Sequence, residues 1–223
     1  MLSKKILTDW SQAFPSLRQF SNTNKLLKVA GPVLIGIELI RLPHTGGYRP
    51  GFVMYQLWDS DVKECMSGSL VLNQLNDDRG LQFDIKINEH ETKFEQAVTC
   101  MKNDTPFLLE KNIHVNQLKK LIDDYSDTSP FQFRENSFAK AFFQASKVKL
   151  ALYINTAEAV AEFQKIKTVE WDAENFKMFN TEVDTWLEDL QHIVEDRRAF
   201  LKVIDINKSH PKIRKLNFLE LDY

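Results

Sequence analysis

The chain opens on a rhythm of four. Leu2, Ile6, Trp10 and Phe14 recur at every fourth position, which puts them on one stripe and predicts an amphipathic helix over residues 2–14. Pro15 ends it, because proline removes a helical hydrogen bond and re-aims the chain. A second, shorter helix is expected over residues 16–29, closed by Gly31-Pro32. The pattern then changes to four strand-like runs, over residues 33–42, 52–58, 69–75 and 81–88. In the last run Leu81, Phe83, Ile85 and Ile87 alternate with Gln82, Asp84, Lys86 and Asn88. That period of two predicts one buried face and one wet face. The turn-forming run Asn76-Asp77-Asp78-Arg79-Gly80 precedes it. Short connections predict an antiparallel meander.

Beyond the strands the period is helical again. Helices are expected over residues 91–102, 115–125 and 136–147, and a further one capped by Asn155 or Thr156. Residues 148–154 fit either a strand or a buried helix. From Asp172 to Ile206 there is neither Gly nor Pro. Phe176, Val183, Leu190, Arg197 and Ile204 lie seven apart, and Phe179, Trp186, Ile193 and Phe200 form a second such series. This predicts one long heptad helix, interrupted only by Arg197. Residues 216–221 are expected to form a final short strand. The fold class expected is therefore α+β: a four-stranded antiparallel meander with flanking helices, then a mostly helical C-terminal half with one long helix. The expected division is a sheet region over residues 1–125 and a helical region over 131–223, packed as one compact unit and joined through residues 126–130.

Composition narrows the functional classes. With 223 residues, 43% hydrophobic and 27% charged, the chain can bury a sizeable core unaided. The amino-terminal residues lack an apolar stretch behind Lys4 and Lys5, so no export signal is expected. The longest apolar run is too short to span a membrane. Cys65 and Cys100 make no disulfide framework and are expected as reduced thiols. His44, His90, His114, His192 and His210 are isolated in sequence, and no Cys or His pair has zinc-ligand spacing. A net charge of −2 gives no nucleic-acid footprint.

Charge is nevertheless uneven. Residues 168–196 hold nine acids against Lys177, and residues 197–215 hold seven bases against Asp205. Such polarity suits a helix macrodipole; it also gives an acidic face able to steer a basic partner. Glu182, Glu188 and Asp189, with Trp171 and Trp186 as aromatic anchors, are the candidate partner-binding residues. A second candidate is Asp84-Ile85-Lys86, an acid-x-Lys strand of the kind that holds Mg²⁺ in metal-dependent nucleases, with Glu38, Asp59, Asp61 or Glu64 to supply the second acid. A third is the glycine-bearing loop after residue 42, where His44 with Arg41 and Arg49 could take an anion. No phosphate loop, dinucleotide fingerprint or nucleophile elbow occurs.

The expected function is a non-catalytic, cytoplasmic protein-binding module, an inhibitor- or immunity-type partner of a basic protein. The alternatives are a phosphodiesterase using Asp84 and Lys86, and a homodimer through the long helix. No cofactor, metal, membrane or nucleic acid is called for.

Overall fold

A computed structural model describes residues 2–128 and 133–222. The chain forms an α+β fold in two compact units. The first comprises residues 1–113 and 206–221, and the second residues 114–205 with the last two residues.

The first unit begins with helix α1 (Lys4–Ala13), capped by Ser3, whose side chain accepts from Ile6 N. Its apolar stripe is buried as the spacing predicts, with Trp10 and Phe14 fully enclosed. Residues 16–29, expected to be helical, are instead strands β1 (Arg18–Gln19) and β2 (Lys25–Ala30). Two features override the helical reading. Ser21-Asn22-Thr23-Asn24 forms a turn, with Ser21 at φ 53° and Thr23 Oγ1 donating to Phe20 O at 2.6 Å. Leu26, Leu27, Val29 and Ala30 are all buried, as a central strand covered on both faces requires.

Strands β3 (Val33–Leu42) and β4 (Gly47–Gln56) form a hairpin, in register from Val33 opposite Gln56 to Leu42 opposite Gly47; the second strand, expected over 52–58, begins five residues earlier, inside the expected loop, because β3 pairs along its whole length. Helix α2 (Val62–Cys65) leads to β5 (Val71–Gln74). The fourth run contributes only β6 (Ile85–Lys86), plus a bridge from Gln82 to Asn76. Phe83 and Ile85 are buried as the alternation predicts, whereas Leu81 and Ile87 are exposed. The turn before it forms as expected, with Gly80 at φ 77° and its N–H donating to Asp77 O at 2.8 Å. Helix α3 (His90–Asp104) and β7 (Asn112–His114) follow, and β8 (Asn217–Asp222) is the expected final strand. The sheet runs β5-β4-β3-β2-β8-β7, with β1 beside β2 and β6 beside β4. It is thus larger than a four-stranded meander, and β8 lies parallel to β2.

The second unit is helical: α4 (Val115–Thr128), α5 (Phe138–Ile154), α6 (Thr156–Lys167), α7 (Ala173–Lys177), α8 (Val183–Glu195) and α9 (Arg197–Ser209), whose last turn belongs to the first unit. The ambiguous run 148–154 is the end of α5, which packs on α4, α6 and α8. Of the expected joint at 126–130, residues 126–128 are helical in α4 and Ser129 and Pro130 lie outside the described residues.

The single long helix does not form. It is three helices, broken at Asn180 and Asp196. Asn180 takes a left-handed conformation, φ 55°, that asparagine tolerates better than most residues. Asp196 leaves helical geometry, and its carboxylate accepts from Ala199 N at 2.9 Å, capping α9. Among the described residues, no helix is long and apolar enough to cross a membrane.

Candidate functional site

Two of the candidate sites of the first unit neutralise each other. Arg49 Nε and Nη2 both donate to the Asp84 carboxylate, the second at 3.0 Å. This fork holds the Asp84 carboxyl below the usual carboxylate range. Lys86 pairs with Glu89 at 3.3 Å. Glu38 accepts from Tyr55 Oη at 2.7 Å and lies 3.6 Å from Lys25 Nζ. Burial, then the Glu38 carboxylate, raise the Tyr55 phenol far above its ordinary value. Asp84, Lys86 and Glu38 are thus each held by a different partner. No group of three His, Cys, Asp or Glu side chains that could hold a metal ion occurs among the described residues.

The loop candidate is likewise divided. Arg41 pairs with Tyr48 and Arg49 with Ile40 across the hairpin, so Arg41 and Arg49 lie on opposite faces of the sheet. His44 and Arg41 are exposed at the hairpin end. The three do not converge on one anion.

Beneath the sheet lies a polar chain that sequence spacing does not reveal. Trp10 Nε1 donates to Tyr48 Oη at 3.1 Å, Tyr48 Oη lies 2.8 Å from His90 Nδ1, and His90 Nε2 lies 2.9 Å from Asp9 Oδ2. With the imidazole neutral and its proton on Nε2, every donor in this chain finds an acceptor. The arrangement resembles a carboxylate–imidazole–hydroxyl relay, but Tyr48 and Trp10 have no exposed surface. Desolvation also pushes the Tyr48 phenol up to about 12. The chain therefore fastens α1 and α3 to β4 rather than presenting a nucleophile.

Lys28 is another buried polar group of the first unit. Its ammonium donates to the carbonyls of Phe107, Leu108 and Glu110 at 3.2, 2.9 and 3.2 Å. Burial lowers its pKa to about 8, opposed by the Glu110 charge. The folded chain then releases this proton near pH 8, and the unfolded chain near 10.5. Between these values the unfolded state binds more protons, so this term adds stability as pH rises and loses it as pH falls through 8. Relative to Lys28→Met, the native protein should gain on the order of 2 kcal/mol between pH 7 and pH 10. Urea midpoints of both proteins at the two pH values check this; a constant difference would refute it.

Cys65 and Cys100 are both free thiols. Burial pushes Cys65 up to about 11, and burial with the nearby Asp78 raises Cys100, so neither is an activated thiolate.

In the second unit the aromatic candidates do meet. Trp171 and Trp186 pack edge to face at 5.5 Å, and both contact Phe176. Trp171 Nε1 donates to Ile166 O at 3.1 Å. Both tryptophans stay half-buried. The acids divide around them. At about 100° per residue, Glu182 and Asp189 flank Trp186 within about 60°, whereas Glu188 lies about 160° away on the outer side of α8. All three are exposed, and none makes an ion pair within the described residues.

Among the described residues of this unit, the most exposed large apolar side chains are not among the candidates. Met178 is 77% and Phe179 53% exposed, at the turn between α7 and α8. The heptad pattern assigns Phe179 to a buried seam. The pair Asn180-Thr181, a turn signal inside that pattern, is what could have revealed it. Beside the turn an open groove of about 460 Å³ is lined by Phe133, Ser137, Asp172, Asn175, Met178 and Phe179, among others.

Comparison of the chain with family models, curated proteins and solved structures finds no match.

Proposed function

We propose that this chain is a non-catalytic protein-binding module whose working surface is the acidic, aromatic side of the second unit, and that its partner is a basic protein. The observation that carries this reading is the clustering of Trp171, Trp186 and Phe176 on the unit that bears the exposed carboxylates of Glu182 and Asp189. Partly buried tryptophans held edge to face offer contact area at little entropic cost. Exposed acids on the same helix speed and orient a cationic partner. In the first unit, by contrast, Asp84 is paired with Arg49, Lys86 with Glu89 and Glu38 with Lys25, and the exposed Arg41 and His44 do not converge with Arg49. A cytoplasmic setting suits two free cysteines.

The test is capture of partners from the native cells with tagged protein, read by mass spectrometry. One stoichiometric basic protein is expected, lost when Glu182→Lys and Asp189→Lys are combined. Recovery of the tagged protein alone, or capture indifferent to the charge reversal, would overturn the reading.

A further inference from the structure

We infer that helix α4 is an acid-released element of the second unit: carboxylates that water reaches hold it on α5 and α6 by neutralising three largely enclosed lysines, and it detaches when they are protonated. Such a release does not depend on the binding surface proposed above.

Along α5, Lys140, Phe143 and Lys147 follow one another at helical spacing and share one face. Helix α4 answers each of them. Asp127 pairs with Lys140, Tyr125 packs edge to face on Phe143 at 5.7 Å, and Asp123 pairs with Lys147 at 2.7 Å. One turn earlier, Lys119 reaches Glu162 of α6 at 3.3 Å and Glu158 at 3.9 Å. Glu135, ahead of α5, adds a carboxylate 3.5 Å from Lys140 Nζ. Leu118 and Ile122 of α4 have no exposed surface. Lys120 and Asp124, both exposed, pair with each other at 2.8 Å and take no part in the contact. Burial pushes the Tyr125 phenol up, so it stays neutral throughout.

The two members of each pair sit in different surroundings. The side chains of Lys140, Lys147 and Lys119 are 5%, 16% and 15% exposed, whereas those of Asp127 and Asp123 are 63% and 43% exposed. The acids can therefore take up protons without any opening of the fold, while the ammonium groups stay enclosed and charged. An enclosed charge that loses its counter-ion is strongly unfavourable. Departure of α4 relieves it by giving the lysines to water. A helix of 14 residues is marginal away from its support, so the release is a local unfolding. The Lys140 ammonium, hydrogen-bonded to Asp127, holds that carboxyl below its ordinary 3.8. At Glu162 burial raises the carboxyl, but Lys165 and Lys119 outweigh it and hold it below 4.5. The anchoring is thus complete at neutral pH and is lost as pH falls through these depressed values.

Hydrogen exchange of the full-length protein, read by mass spectrometry and corrected for the intrinsic effect of pH, tests this. Between pH 7 and pH 3, protection of the α4 amides should fall at least about tenfold more than protection of the α5 amides. Combining Asp123→Asn with Asp127→Asn should produce the same selective loss in α4 at pH 7, where nothing else in the fold is titrated. Combining Lys119→Met, Lys140→Met and Lys147→Met leaves no enclosed ammonium against α4 and replaces each lysine with an apolar side chain of similar length. In that variant the ratio of α4 to α5 protection should be the same at both pH values. Three outcomes overturn the inference: protection lost across the whole unit at once, an α4 indifferent to the two asparagines, or an α4 that still opens in acid in the methionine variant.

Discussion

Replacing Gly36 by alanine is expected to lower the melting temperature of the first unit by more than about 10 °C. Gly36 sits in the middle of β3, opposite Leu27 of β2 and Val53 of β4. A Cβ there would lie 2.0 Å from Leu26 O, 2.9 Å from Leu27 Cα and 3.0 Å from Leu26 C. All three obstacles are backbone atoms, so no side chain can rotate aside to make room. Strand β2 would have to move, yet β1 and β8 hold its other edge. The overlap must be relieved by bending paired strands inside a close-packed sheet, which places the substitution in the severe tail of single mutations. Gly68 is the control: it is exposed, a Cβ there meets nothing within 4 Å, and its φ is not left-handed. Gly68→Ala should leave the melt unchanged or slightly raised. Thermal unfolding of both variants by circular dichroism decides the matter. A Gly36→Ala melt close to wild type would mean that β2 and β3 are not so closely apposed.

Nothing in the sequence around Gly36 announces that contact. A glycine within a run of Val, Leu and Ile reads only as a weak strand position, because the atom it must avoid belongs to a strand set in place by tertiary pairing. The same boundary between local and non-local information runs through the fold. Helix α1, the β3–β4 hairpin and the Asn76–Gly80 turn were legible because residues within one or two turns of each other carry the signal. Strand β2 was misread as helix because a strand buried on both faces shows no alternation, and the short apolar run Leu26-Leu27 fits either period. In the candidate sites the loss is greater. Asp84 and Arg49 were assigned to separate sites, although they form one ion pair. Asp9 and His90 are 81 residues apart and Tyr48 and His90 42 apart, so no spacing rule could join them. The Trp171–Trp186 contact was anticipated only in its residues. The heptad count hid the exposed Met178 and Phe179, since apolar residues at regular intervals do not report where a cap breaks the helix between them.

Arg197 is where the two readings make opposite predictions. Along the heptad series Phe176, Val183, Leu190, Arg197 and Ile204, arginine is the one flaw, and a continuous helix would be stabilised by leucine there. In the folded second unit the side chain is instead the cap of another helix. Arg197 Nε donates to Leu152 O at 2.6 Å, and Nη2 donates to Tyr153 O at 2.8 Å and Ile154 O at 2.9 Å. These are the last carbonyls of α5. A helix leaves its final four carbonyls without internal partners. Asn155 N satisfies Ala151 O at 2.9 Å, and Arg197 takes the other three. The guanidinium also brings positive charge to the negative end of the α5 dipole. Arg197→Leu would strand three partly buried acceptors and remove that charge, so it should destabilise the second unit by about 2–4 kcal/mol. Arg197→Lys should recover only part of the loss, because an ammonium lacks the planar fork that spans three successive carbonyls. Urea denaturation of the three proteins ranks them. The expected order is Arg above Lys above Leu; a more stable leucine variant would restore the continuous seam and overturn the break at Asp196.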